Sequence, residues 1–266
     1  MVDPSTVGSL GKCFGILSTF SPQRPSLTAR EIAELTGLDR TTTHRFLKSL
    51  AALQIVEHDS KTHRYSLGVR LLQYASAILD SMDVRRAALP HMFGGIEIED
   101  NAILQLAVRA PGTEAIIVER VWNTNSPITS LITSIPALGR NIPIEASVGG
   151  RVILAYLSPE DRQEILDHLA AHGSSRGEPV DVKELEDRLE LIRSRGFDVS
   201  DHRLYAKIFA VAAPVLGPQS VASGSLIVSI EATDALDDFT SRWIPRLTEL
   251  SARVSHSLGF LPNMSY

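Results

Sequence analysis

The chain has 266 residues, 44 % apolar and 21 % charged, a globular composition with length enough for two ordinary domains. No apolar run approaches the roughly 20 residues of a membrane span, and no basic-then-apolar leader opens the chain, so a cytoplasmic protein without a membrane partner is expected. A single cysteine, Cys13, excludes an internal disulfide and suits a reducing compartment, while the net charge of −5 argues at first against nucleic acid.

Residues 1–4 read as a short disordered tail. From about Ser5 to Phe20, Val7, Leu10, Phe14, Leu17 and Phe20 follow helical spacing and are expected to face a three-helix core, with Cys13 a small apolar neighbour. Ser21 to Ser26 holds Pro22 and Pro25 and reads as loop. The next stretch, Leu27 to Leu67, is written as helix, tight turn, helix and two-stranded hairpin. Thr28 and Glu31 have capping-box spacing, flanked by the staple pair Leu27 and Ile32. Gly37 ends this helix and Asp39 caps a second, about Arg40 to Leu53.

That second helix has two faces. Thr43, Phe46, Leu47 and Leu50 should pack inward, leaving Arg40, Thr41, His44, Arg45 and Lys48 outward. A short basic face rich in hydroxyls suits a helix entering a DNA major groove, and the hairpin Ile55–Leu67 suits a wing along the phosphates. Candidate DNA-contacting residues are Thr28, Arg40, Thr41, Thr42, His44, Arg45 and Lys48, with Lys61, His63 and Arg64 on the wing. From Arg40 to Arg70 six basic residues face two acidic ones, a local +4, so the rest of the chain carries −9. Screening over about 8 Å lets such a patch act locally on an acidic protein.

Gly68 to about Met82 is a linker helix whose Leu71, Leu72, Ala75, Ile78 and Leu79 recur at helical steps. Such a stripe needs a cover. The first domain or the same helix of a second subunit could supply it, and the subunit is favoured, which would place two reading helices on two-fold symmetric, double-stranded operator DNA.

Residues 84–260 then read as one mixed domain, following a winged module at 5–67 and the linker at 68–83. A helix is expected over Val84–Asp100, with hairpin strands at Asn101–Val108 and Glu114–Trp122 and a third strand near Pro127–Ile135. An apolar helix spans Val152–Leu157, and further helices start at Ser158-Pro159 and Asp181, the latter ending at Gly196. Strands follow at Phe197–Ser200, Ile208–Leu216 and Val221–Ile230, and a closing helix runs over Leu236–Leu258 with Pro245 inside it. Hairpin-connected strands interrupted and flanked by helices make an α+β fold.

No catalytic constellation emerges. The eight histidines are expected to form no metal site, and the Asp201-His202-Arg203 cluster reads as a solvated strand end. No cofactor is expected.

Several motifs together resemble the isocitrate lyase regulator (IclR) family of bacterial transcription factors over about Val7 to Leu258. They are Thr28-x-x-Glu31-Ile32-Ala33 with Gly37-Leu38, Thr42-x-His44-Arg45-x-Leu47, Tyr65-x-Leu67-Gly68, Ala146 to Arg151, Arg195-Gly196-Phe197 and Ala212-Ala213-Pro214. The resemblance implies a winged helix-turn-helix, a linker that dimerises, dimers that often pair into tetramers, and a GAF-like domain binding a small-molecule effector. It also implies control of catabolic operons by small organic acids or aromatic compounds. Effector positions carried over from the family fall on Ser147, Val148, Gly149, Ser200, Ala210, Ile227 and Ser229. An acidic residue is common in the family where Ser200 stands, a Cys where Ala210 stands and often a Ser where Ile227 stands. These departures imply a less polar pocket, and so a larger, partly apolar effector such as an aromatic acid. The function expected is a DNA-binding regulator, a repressor whose operator binding responds to that acid. An architectural DNA-binding protein whose second domain only oligomerises stands as the alternative.

Overall fold

A computed structural model describes residues 8–97, 100–125, 129–175, 177–200, 207–232 and 236–260. The expected tail at 1–4, Val7 and the Asp201-His202-Arg203 cluster lie outside the described residues. The chain divides into two compact units, Met1–Ser81 and Met82–Tyr266.

The first unit runs α1 (Gly8–Leu17), β1 (Ser26–Thr28), α2 (Ala29–Thr36), α3 (Arg40–Ala52), β2 (Val56–Asp59), β3 (Arg64–Leu67) and α4 (Leu71–Ser81). The capping box at Thr28 forms in both directions: the Glu31 amide donates to Thr28 Oγ1, and the Thr28 amide donates to Glu31 Oε2 at 2.6 Å. Gly37 ends α2 at φ 69°, a left-handed conformation that costs glycine little. Asp39 then caps α3 by accepting from the Thr42 amide at 2.8 Å. Ile32, Phe46, Leu47, Leu50 and Val56 share one buried cluster with Ile16 and Phe20.

Two expectations change here. Ser26–Thr28 is a strand as well as a helix start, pairing antiparallel with β3 to give a three-stranded wing of order β1-β3-β2. The core side of α1 is Ile16, continued by Phe20 beyond the helix, whereas Leu10 and Phe14 are 63 % and 66 % exposed. Both sides of α1 are apolar, so spacing alone cannot choose between them. No residue of α4 is buried; Leu72 and Ile78 are 68 % and 55 % exposed, leaving the expected apolar stripe uncovered.

The second unit runs α5 (Asp83–Gly94), β4 (Ala102–Arg109), β5 (Glu114–Trp122), α6 (Thr129–Ser134), β6 (Asn141–Pro143), α7 (Val148–Ala155), α8 (Pro159–His172), α9 (Val182–Arg195), β7 (Asp198–Val199), β8 (Ile208–Leu216), β9 (Ala222–Glu231) and α10 (Leu236–Ser257). All pairings in its six-stranded sheet are antiparallel, in the order β6-β5-β4-β9-β8-β7. Ala210 and Ala212 of β8 belong to the cluster that buries Ile153 of α7, Leu166 of α8 and Leu189 of α9. Strand alternation sends Phe209 to the opposite face, where its ring stacks on Phe239 of α10 at 6.1 Å. Ser251 and Ser255 of α10 bond the backbone of β8 at Pro214 and Leu216.

The strand expected near Pro127–Ile135 is the helix α6 over Thr129–Ser134. Leu131, Ile132 and Ile135 recur at helical rather than alternating spacing, and Leu131 and Ile135 are buried. The edge strand is instead β6, and the first helix stops at Gly94, short of Asp100. The helix expected from Val152 starts four residues earlier, at Val148.

Candidate DNA interface and ligand cavity

The outward face of α3 assembles as its spacing requires. Thr43, Phe46, Leu47 and Leu50 are buried, while Arg40, Thr41, His44, Arg45 and Lys48 are exposed along one side. Thr42 is half-buried, and its amide is the one that Asp39 caps. In the wing, Asp59 folds the tip by accepting from the Lys61 amide at 2.8 Å and the Thr62 hydroxyl at 2.6 Å. Lys61 and His63 stand exposed there, His63 with φ 54°. His58 and Tyr65, directly opposite across β2 and β3, stack at 4.5 Å and stiffen the hairpin.

Arg64 behaves differently from the other candidates. Its guanidinium donates to the Ser26 hydroxyl at 3.1 Å and the Ser26 carbonyl at 2.8 Å, and lies 3.3 Å from Glu31. It ties β1, β3 and the start of α2 together, so its charge is engaged within the fold. Thr28 is similarly committed to capping α2.

In the second unit all seven expected effector positions line a single cavity. The structure adds Gln105, Ile117, Ile135, Pro136, Ile142 and Ile208, none expected at the site from sequence, and Ala146 of the motif that runs to Arg151. Strand pairing brings Gln105, Ile117, Ile142 and Ile208 in from β4, β5, β6 and β8, and Ile135, Pro136 and Ala146 come from the connecting loops. The cavity encloses about 50 Å³.

Its walls are mostly apolar, as Ile227 and Ala210 imply, and its polar groups are few. The Ser147 hydroxyl is committed as the N-cap of α7, donating to the Pro143 carbonyl at 2.6 Å and accepting from the Gly150 amide at 3.1 Å. Gln105 donates to the Pro136 carbonyl at 2.8 Å, and the Ser200 hydroxyl accepts from the Ala210 amide at 3.1 Å. Val148 and Gly149 open α7, where the first amides have no intrahelical acceptor. Two such N–H groups at a helix N-terminus suit a carboxylate. Gly150 permits this turn, since a Cβ there would lie 2.6 Å from the Ile144 Cα and the Pro143 carbonyl oxygen.

His168 and His172 are four apart on α8, an H-x-x-x-H spacing, and their rings stack at 4.5 Å. A pair offers two of the four ligands that structural zinc takes. Among the described residues no group of three or more metal-type side chains converges. No described helix is long and apolar enough to cross a membrane.

Comparisons with known proteins agree with this architecture. The IclR helix-turn-helix domain matches residues 9–60, and the C-terminal domain of the bacterial transcriptional regulator IclR matches residues 76–256. The HTH-type transcriptional regulator KipR of Bacillus subtilis is 29 % identical, over 94 % of this chain and 96 % of that protein. The transcriptional repressor IclR of Escherichia coli is 23 % identical, over 93 % of this chain and 86 % of that one. The crystal structure of an IclR homolog from Microbacterium hydrocarbonoxydans, complexed with 4-hydroxybenzoate, superposes with a TM-score of 0.74 at 23 % identity, covering 95 % of this chain and 99 % of that chain. The relatives named are regulators rather than enzymes. The chain belongs to the IclR family of DNA-binding bacterial transcriptional regulators.

Proposed function

We propose that this protein is a dimeric repressor of a catabolic operon, released from a two-fold symmetric operator when an aromatic acid enters the cavity of its second unit. The observation that carries the ligand class is the cavity itself: apolar walls from Ile117, Ile142 and Ile227 that end at the amides of Val148 and Gly149. An anionic head on a flat apolar body matches that pairing of surfaces. The 4-hydroxybenzoate held by the structural relative is a molecule of this kind.

Dimerisation is supported by the uncovered stripe of α4 and by Leu10 and Phe14 on α1. Two copies would present two α3 helices to successive major grooves. Two dimers can pair further into a tetramer. Bound effector acts by stabilising one spacing of the paired reading helices over another. The sign, repression, follows the E. coli repressor among the relatives.

Thermal unfolding of the protein with graded ligand tests the ligand class. Stabilisation should follow the logarithm of ligand concentration above the dissociation constant. Benzoate-type acids should raise the midpoint, and glyoxylate and pyruvate should not. The reverse pattern overturns the aromatic assignment, and no response to any metabolite favours an oligomerising role for the second unit.

A further inference from the structure

The cavity has two walls far apart in sequence, and one buried ion pair joins them. The Arg151 side chain is 5 % exposed and that of Asp198 is not exposed at all. Arg151 Nε donates to Asp198 Oδ2 at 2.7 Å, and its Nη1 donates to the Ala146 carbonyl at 2.7 Å. Ala146 belongs to the loop that leads into the amides of Val148 and Gly149. Asp198 Oδ1 accepts from Arg188 at 2.6 and 2.9 Å, from Arg195 at 2.9 Å and from the Val199 amide at 2.9 Å. Two residues on, Ser200 lines the cavity, and its amide donates to the Ala210 carbonyl at 2.8 Å.

A planar guanidinium can span two acceptors at fixed separation, which an ammonium cannot. Arg151 uses that fork to join the loop before α7 to the strand carrying Ser200. Arg188 and Arg195 of α9 hold the shared aspartate from the other side. Both oxygens of the buried carboxylate accept hydrogen bonds, one donor on Oδ2 and four on Oδ1, which offsets the cost of burying its charge.

We propose that Arg151 and Asp198 are positioning residues that hold the α7 N-terminus and the end of β7 as a single wall of the ligand cavity. This rests on reading the cavity as the effector site. The two residues touch no ligand; they fix where the Val148 and Gly149 amides stand relative to Ser200.

The test compares Arg151→Lys, which keeps the charge but loses the fork, with the near-isosteric Asp198→Asn. Amide hydrogen exchange is followed in the unliganded full chain. Both variants should speed exchange together in residues 146–150 and 198–200 and leave β4 and β9 protected. Affinities for 4-hydroxybenzoate and its neutral analogue 4-hydroxybenzamide are then measured. The acid should bind about ten-fold more weakly to either variant, and the amide should lose clearly less. Faster exchange in only one of the two segments, or uniformly across the sheet, overturns the proposal. So does unchanged affinity of both variants for the acid. If the wild-type chain binds neither probe, the aromatic assignment fails, and the exchange pattern alone decides the clamp.

Discussion

Ile227 of β9 lies directly over Gly149 of α7: a Cβ added to Gly149 would stand 2.4 Å from Ile227 Cδ1 and 2.9 Å from its Cγ1. The end of a flexible side chain can yield by turning into the adjoining cavity, whereas the backbone atoms facing Gly150 cannot yield. Gly149→Ala restricts the unfolded chain, a gain of roughly 0.4–1 kcal/mol that offsets part of the strain of moving Ile227. Its net cost should stay below about 1 kcal/mol, with ligand response lost as Ile227 fills the cavity. Gly150→Ala should cost about 2 kcal/mol or more, because Ile144 and Pro143 must move. Urea midpoints at constant m measure both. Equal costs would show that the two glycines have no such division of roles.

Arg45 and Arg64 separate reading from folding. Arg45→Ala should lose more than about 1 kcal/mol of operator affinity if it meets a base edge, with the unfolding midpoint unchanged. Arg64→Ala removes the ties to Ser26 and Glu31, so it should lower the thermal midpoint as well as DNA affinity. Fluorescence anisotropy with labelled operator, paired with thermal melts, checks both. A folded, stable Arg64→Ala protein that only loses salt-dependent affinity would return this arginine to the phosphates.

Leu72 and Ile78 test the dimer. Replacing both by Glu places charge on the uncovered stripe of α4, and association should weaken by at least about 3 kcal/mol. Sedimentation would then show monomers at micromolar concentration, and operator affinity would fall with them. An unchanged dimer would move the subunit contact elsewhere.

Three carboxylates of the winged unit are shifted in the same direction. Hydrogen bonds from Thr28 hold Glu31 below its ordinary pKa, those from Thr42 hold Asp39 below, and those from Thr62 and Lys61 hold Asp59 below. Each depressed carboxylate binds fewer protons folded than unfolded, so its contribution is complete above the ordinary range of about 3.9–4.3 and is lost as pH falls through the folded value. The thermal midpoint should thus decline progressively below about pH 4. Asp39→Asn keeps a good cap without a titrating group and should flatten that decline. A decline as steep as in the wild-type chain would remove Asp39 from the account.

The winged unit was legible because its determinants are local: Thr28 and Glu31 are three residues apart, and the faces of α3 follow one period. The cavity was half legible. Ser147 to Gly149 sit in one short motif, but Gln105, Ile142 and Ile208 reach the site only through strand pairing. The side of α1 facing the core was not legible, since Ile16 and Phe14 are equally apolar and tertiary contact alone distinguishes them. Nor was the Arg151–Asp198 pair, whose partners are 47 positions apart. Leu131, Ile132 and Ile135 carry the period of the α6 helix, but the apolar, β-branched run around them also suits a strand.

The most direct test of effector control is anisotropy of DNA from the intergenic region upstream of the protein's own gene, titrated with the protein at increasing 4-hydroxybenzoate. The account predicts operator binding that weakens progressively and saturably with the acid, while pyruvate and glyoxylate leave it unchanged. Binding indifferent to every aromatic acid tested, or released by pyruvate or glyoxylate alone, would contradict it.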